Sequence, residues 1–572
     1  MATSSSLGPE VQTCCGPVRG LREKSGVVAF KGIPYAAPPI GALRWRRPQP
    51  HAPWGPGCRE CIQFGASSLQ PQSIFGDIPD NVSEDCLYLN VYTAGGVNFE
   101  TAKLPVFVWI HGGAFRNGSG DRYPVSNVAA QGLVAVNFNY RLGALGWLRP
   151  EGNADYNCGL WDMVEALKWV NRNISNFGGD PSNVTICGQS AGGTSVICLC
   201  ASPVANKLFR RAIPMSCMPH QCLDSKLMSR LAKDLAYMVT GSSAATADDM
   251  RTASAQVFNE TRKVDPSREF TYHSSGLGWY QVAFSLSDLG PLRKAAGYCE
   301  FRVSGLQEHT LAHFPFVPVV GADELIPEWP YDLLAKGSAA HIDLLVGGTR
   351  EENGFSASPS HPERTAPLTY GGKVNNVEQA IARCAREFMG LGRIDPVASA
   401  ERLVHSYVSA EREGGFAPAG SVQHAWDRLA SDLAFNAPAV MVAARQHQHN
   451  PGNLYVFRYE GNNKRRSFHG WELDLVLGNV PEKSKPPFHK LSDTMLQAWT
   501  SFARTGNPNG PAALPKWAAW GSSGLDGVVM CFDTVGISPV SYTKAAPAIR
   551  DCVDLIDAAF VHSSQTEQRS RL

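Results

Sequence analysis

Val184-Thr185-Ile186-Cys187-Gly188-Gln189-Ser190-Ala191-Gly192 is the stretch from which the rest of this chain can be read. A run of apolar and β-branched residues enters a serine flanked by glycines, and a helix-like stretch follows. The order predicts a strand, a sharp turn and a helix, with Ser190 at the apex of the turn. Small neighbours let the two backbones approach closely, and the strained turn lifts the hydroxyl above a sheet. The same pentapeptide in a chain with 54 glycines among 572 residues could also be a surface turn. Its surroundings decide between the two.

Those surroundings alternate short apolar runs with helical patterns. Pro105–Ile110 and Leu133–Phe138 are continuous apolar runs, as expected of strands buried on both faces. Leu160, Met163, Val164, Leu167, Val170 and Ile174 recur at three- and four-residue spacing and predict an amphipathic helix, which Gly178-Gly179-Asp180-Pro181 ends. Further strands are expected at Ile342–Val346 and Leu454–Tyr459. This alternation predicts an α/β fold with a mainly parallel central sheet covered by helices on both faces. Composition marks no second domain. One domain is expected over residues 1–562, with a flexible tail at 563–572 and a variable insertion from about Ser242 to Ser304 above the sheet.

Bulk properties exclude several classes. Charged residues are 18% of the chain, the formal net charge is +1, and the sequence pI is near 7.6, so no basic field invites nucleic acid. Mean hydropathy is −0.17, and no run of 18 apolar residues would span a membrane. Fifteen cysteines are too few for a disulfide scaffold of this length, and Cys58-Arg59-Glu60-Cys61 has no second pair at zinc spacing, so no metal is expected. Asn-x-Ser/Thr triplets at Asn81, Asn117, Asn173, Asn183 and Asn259 are a weak sign of secretion.

A serine hydroxyl becomes a nucleophile when a base takes its proton and a carboxylate orients that base. Downstream, Leu344-Leu345-Val346 runs into Gly347-Gly348-Thr349-Arg350-Glu351-Glu352, putting carboxylates at the carboxyl end of a strand, where α/β sites form. Later, Ser467-Phe468-His469-Gly470-Trp471-Glu472 puts His469 on a loop after the strand Leu454–Tyr459. Serine, acid and histidine thus follow in the chain order expected of an elbow-type hydrolase, with Glu351 and Glu352 both open as the acid. His111-Gly112-Gly113-Ala114 follows the strand ending at Ile110, and its glycines free backbone N–H groups to face an oxyanion; the Ala191 N–H at the helix start adds another donor.

Nearly the whole chain resembles the type-B carboxylesterase/lipase family, the group of carboxylesterases, cholinesterases and fungal lipases. The resemblance rests on ordered blocks: Phe30-Lys31-Gly32-Ile33-Pro34-Tyr35-Ala36, Leu43-Arg44-Trp45, Ser83-Glu84-Asp85-Cys86-Leu87-Tyr88-Leu89-Asn90-Val91, Asn139-Tyr140-Arg141-Leu142-Gly143, Asn176-Phe177-Gly178-Gly179-Asp180-Pro181 and Trp499–Asn509. It implies the α/β-hydrolase fold and ester hydrolysis without metal or cofactor on a small-molecule ester. It implies Ser190 as nucleophile, His469 as base, and Glu352 as acid, with Glu351 the fallback because Asn353 stands where the family has glycine. Gly112, Gly113, Ala114 and Ala191 would form the oxyanion hole. Ser216 matches a serine close behind the triad, and Gln189 stands where many members carry glutamate. The resemblance also implies a Cys61–Cys86 disulfide and the ion pairs Arg44–Glu84 and Arg141–Asp162. At the place of the family's second disulfide this chain reads Tyr237–Gly241, without cysteine.

Two other readings stay open: a catalytically silent binding or adhesion homologue, and hydrolysis of amides or carbamates, or transacylation, by the same machinery. Cholinesterases carry a tryptophan in the loop before the Ser-Glu-Asp-Cys block; between Cys61 and Cys86 this chain has Phe64 and Phe75 but no tryptophan, so the resemblance implies neutral esters over choline esters. The start has neither the basic nor the apolar region of a secretory leader. The end, Ser570-Arg571-Leu572, resembles a Ser-Lys-Leu peroxisomal signal on a polar tail. The expected address is cytoplasm or peroxisome, or secretion from a trimmed precursor.

Overall fold

The computed structural model describes residues 7–70, 79–152, 154–240, 242–252, 317–352, 354–355, 368–369, 374–387, 395–414, 421–461, 467–521, 525–542, 546 and 548–560. The C-terminal tail, Asn353, Phe75 and most of the expected insertion at 242–304 lie outside these residues.

Twelve strands form the spine of one large sheet. They are β1 (Leu7–Thr13), β2 (Gly16–Arg22), β3 (Val28–Pro34), β4 (Tyr88–Thr93), β5 (Leu104–Ile110), β6 (Val134–Phe138), β7 (Gly179–Gln189), β8 (Arg211–Met215), β9 (Asp343–Thr349), β10 (Leu454–Gly461), β11 (Val528–Asp533) and β12 (Gly536–Ser541). Their spatial order is β1-β2-β3-β4-β6-β5-β7-β8-β9-β10-β11-β12, and the short strand Arg59–Glu60 adds to β2. From β6 to β11 every neighbour is parallel. Antiparallel pairs flank this block on both sides.

The apolar runs are buried on both faces because successive side chains point to opposite sides. Along β5, Val106, Val108 and Ile110 enter one core while Phe107 and Trp109 enter the other. The first core is covered by α1 (Cys158–Asn173), α2 (Ala191–Ala201) and α3 (Ala437–His447), and the second by α4 (Pro486–Thr505). Pro486 starts α4 where a missing N–H costs nothing, and Gly506 at φ 79° ends it. Its buried face carries Leu491, Met495, Trp499 and Phe502 at helical spacing. Trp499 packs 4.8 Å from Phe457 of β10 and 5.8 Å from Phe532 of β11, centroid to centroid. Each such aromatic buried contributes on the order of 1.5–3 kcal/mol.

Two expectations need correction. The elbow strand is longer than Val184–Cys187: β7 starts at Gly179, with an irregular register against β5 between Gly179 and Val184. That break accommodates Pro181, which has no N–H to give a regular ladder. Cys61 and Cys86 are not bridged; both are buried free thiols. Cys61 is tied into the sheet edge, its N–H 2.7 Å from Arg19 O and its carbonyl 2.7 Å from Lys31 N. The Cys86 thiol is instead hydrogen-bonded to Ser68. Burial pushes the Cys61 thiol up to about 12 and holds that of Cys86 well above its ordinary range, so both stay protonated.

The implied ion pairs are present. Arg44 Nε lies 2.5 Å from Glu84 Oε1, and Arg141 Nη2 lies 2.7 Å from Asp162 Oδ1 in a fully buried pair. Both tie chain segments together away from the elbow, the role of fold specification.

Candidate active site

The strand order reverses direction between β5 and β7, and five neighbouring parallel strands end at this point. Beyond their carboxyl ends lie His111–Ala114 after β5, Ser190 after β7, Ser216 after β8, Glu351 and Glu352 after β9, and His469 after β10. Parallel α/β sheets form their sites in such a crevice.

Ser190 sits between β7 and α2 at φ 60°, ψ −122°, a conformation that L-residues rarely adopt. Its N–H reaches past the strand end to Met215 O at 2.9 Å. Gly192 is needed for the helix to turn back over β5: a Cβ there would come within 2.1 Å of Ile110 O. Ala191 is the first residue of α2, so its N–H has no intrahelical acceptor.

Gly112 packs against the elbow, where a Cβ would stand 3.1 Å from Ser190 Cβ. The Gly112 carbonyl accepts a hydrogen bond from His111 Nδ1 at 2.8 Å. A carbonyl can only accept, so Nδ1 carries the proton. Burial lowers His111 to about 4, which keeps the ring neutral. The ring is stacked on Tyr140 at 4.3 Å, and Tyr140 donates its hydroxyl to His111 O at 2.9 Å. Fixing the Gly112 carbonyl fixes its peptide plane, which turns the Gly113 N–H the opposite way. Gly113 (φ 115°) and Ala114 (φ 55°) continue in positive φ, and among the described residues their N–H groups have no acceptor.

Glu352 has no exposed surface. Its Oε2 lies 2.5 Å from His469 Nδ1, while its Oε1 accepts from Ser216 Oγ at 2.6 Å and Thr349 N at 2.7 Å. Ser216 is itself at φ 49°, its N–H held by Gly347 O at 2.7 Å. Glu351 faces away, with His424 Nε2 at 3.4 Å from its carboxylate. The structure therefore brings Glu352, not Glu351, to His469.

Three features escape the sequence reading. The side-chain nitrogen of Gln189 lies 3.0 Å from His469 Nε2. The ring of Phe435, on the π-helical turn Asp432–Asn436, lies 4.7 Å from that of His469. Glu472 is wholly buried three residues after His469, and burial, then the charge of Glu352, hold its carboxyl well above the usual range. The sequence signals for them were the glutamine before Ser190 and an acid three residues after His469.

The comparisons with known proteins agree with this architecture. The Carboxylesterase family model matches residues 8–528. The para-nitrobenzyl esterase of Bacillus subtilis (strain 168) is 32% identical over 531 residues, 89% of this chain and 92% of that protein. Carboxylesterase 1D of Rattus norvegicus is 30% identical, over 86% of this chain and 83% of that protein. A solved PNB esterase superposes with a TM-score of 0.71 at 30% identity, covering 94% of this chain and 99% of the other. Its structural neighbours have the α/β-hydrolase fold, and no helix among the described residues is long and apolar enough to cross a membrane. The chain belongs to the carboxylesterase family.

Proposed function

We propose that this carboxylic ester hydrolase works through an acyl-enzyme on Ser190. Ser190 Oγ attacks the ester carbonyl and its proton passes to His469 Nε2. Glu352 holds the Nδ1–H and stabilises the imidazolium. The backbone N–H groups of Gly113, Ala114 and Ala191, with Gly112 adjoining, receive the oxyanion. Collapse expels the alcohol, which leaves with the proton from His469. Water then attacks the acyl carbonyl, giving its proton to His469, and the second collapse releases the acid and returns the proton to Ser190.

The observation that carries this reading is the 2.5 Å contact of buried Glu352 with His469 Nδ1, two strands from a serine held at φ 60° on its elbow. An acid so placed fixes the tautomer in which Nε2 is the base. A relative's name makes a para-nitrobenzyl ester the first substrate to try. Ser190→Ala should lower turnover by several orders of magnitude while the protein melts as before. An organophosphate should label Ser190, read by peptide mass. Substantial turnover by the alanine variant would overturn the assignment, and a wild-type protein inert on simple chromogenic esters would return the silent-homologue reading.

A further inference from the structure

Gln189, one residue before the nucleophile, contacts the base itself. Its side chain is only 4% exposed and is held from both sides. A Cβ on Gly112 would stand 3.1 Å from its Oε1, and a Cβ on Gly470 would stand 3.7 Å from its Nε2. The carboxamide thus spans from the oxyanion loop to the histidine loop, and its nitrogen lies 3.0 Å from His469 Nε2.

The direction of that hydrogen bond follows from the other side of the ring. Glu352 Oε2 is 2.5 Å from Nδ1, and a carboxylate can only accept, so Nδ1 bears the hydrogen. In the neutral imidazole Nε2 then holds the lone pair, and the amide must donate to it. Turning the amide over would set its oxygen against that lone pair. We propose that Gln189 is a positioning residue for His469: in the resting enzyme its carboxamide donates to Nε2, holding the ring plane and occupying the lone pair that must accept the Ser190 proton. Substrate binding then exchanges one donor for another at that nitrogen, amide N–H for serine O–H. The inference rests on the assignment of His469 as base.

A donor on Nε2 favours the neutral ring, whereas a carboxylate at the same place would favour the imidazolium. Exchanging the amide at position 189 for a carboxylate therefore changes how readily the ring takes up a proton. Among the described residues, the neighbouring groups act elsewhere. Glu352 acts on Nδ1. Glu472 is kept neutral by burial and by Glu352, Glu351 is turned to His424, His111 is held neutral by burial, and the Phe435 ring carries no charge.

The test is the pH dependence of kcat/KM on a short-chain p-nitrophenyl ester for the wild type, Gln189→Glu and Gln189→Met. The glutamate variant should move the acidic limb up by about one pH unit or more, the usual effect of an opposite charge beside an ionised group. At a pH on that limb this reads as about a tenfold loss that disappears in mild base. The methionine variant keeps the shape, loses the N–H and should move the limb in the same direction by less. Superimposable acidic limbs in all three proteins would overturn the inference. Ser190→Ala and His469→Gln run in parallel separate the two failures. If both are inactive while the Gln189 variants keep the wild-type limb, only this inference falls; if either remains active, the triad reading falls first.

Discussion

Replacing Glu352 by glutamine isolates the role of the acid with almost no change of shape. The carboxylate has three donors: Ser216 Oγ and Thr349 N on Oε1, and His469 Nδ1 on Oε2. An amide can satisfy them in only one sensible orientation. With its NH2 at the Oε1 position it would face the Thr349 backbone N–H, a donor that cannot turn. Its oxygen must therefore take that position, and the NH2 then faces His469 Nδ1. That forces the hydrogen of the ring onto Nε2, so the nitrogen beside the nucleophile no longer has a lone pair. The same exchange in a serine protease lowers turnover by about 10⁴, or about 5.4 kcal/mol of barrier. Losing one charge-assisted hydrogen bond costs on the order of 1.5–3 kcal/mol of stability, so the variant should still fold. Glu351→Gln alters a side chain turned toward His424 at 3.4 Å and away from His469, and should keep turnover within about tenfold. The assay is kcat on a p-nitrophenyl ester in mild base, with the rate of organophosphate labelling of Ser190 as a second reading of the same base. A Glu352→Gln enzyme within tenfold of wild type, beside a collapsed Glu351→Gln enzyme, would move the acid to Glu351; two active variants would remove both glutamates from the mechanism.

Two further outcomes are expected. Glu472 is buried, and burial and then the charge of Glu352 raise its carboxyl, whereas in the unfolded chain it ionises above about 4.3. Its contribution is therefore complete below that value and is lost as pH rises toward the folded value, by about 1.4 kcal/mol per pH unit. Glu472→Gln should gain stability over wild type from pH 5 to pH 8 in urea unfolding; an advantage that does not grow with pH would refute the buried neutral acid. Acetylcholine should be a poorer substrate than its uncharged isostere 3,3-dimethylbutyl acetate, because the sequence between Cys61 and Cys86 has no tryptophan to face a quaternary ammonium. A higher kcat/KM for acetylcholine would refute it.

The parallel core was legible because strands buried on both faces must be apolar throughout. Pro105–Ile110, Leu133–Phe138 and Leu454–Tyr459 each lie within one residue or two of an observed strand. The chain order of Ser190, Glu352 and His469 was legible because each follows such a run. Beyond the ion pairs Arg44–Glu84 and Arg141–Asp162 that the family resemblance implied, side-chain partners were not. Cys86 precedes β4 as the family block suggests, but whether a thiol or a hydroxyl faces it depends on how a loop of weak pattern is threaded, and the facing residue is Ser68. Glu352 stood ahead of Glu351 through the family resemblance alone; the contact that holds it, Oε1 brought back onto the Thr349 N–H by the turn after that residue, is not stated by one sequence. The reach of Gln189 to His469 joins positions 280 residues apart through two loops, and no local pattern encodes it.

The strain at this site is held by the sheet rather than by the loops that carry it. Ser190 and Ser216 both have positive φ, one residue beyond the ends of adjacent strands. A non-glycine residue in such a region costs on the order of 1–3 kcal/mol. Each is tied to the next strand over by its own N–H, Ser190 to Met215 O at 2.9 Å and Ser216 to Gly347 O at 2.7 Å. The ladder thus runs one step past β7 and β8 and ends on β9, the strand that delivers Glu352. Ser216 spends its hydroxyl on Glu352, so the same residue that extends the ladder also holds that carboxylate. Ser190, Ser216 and Glu352, the proposed nucleophile, supporting serine and acid, are therefore registered through three consecutive strands and not by three independent loops. Their relative positions inherit the rigidity of a fully buried parallel core, which is what a base and nucleophile need when a displacement of about 1 Å can cost a hundredfold in rate.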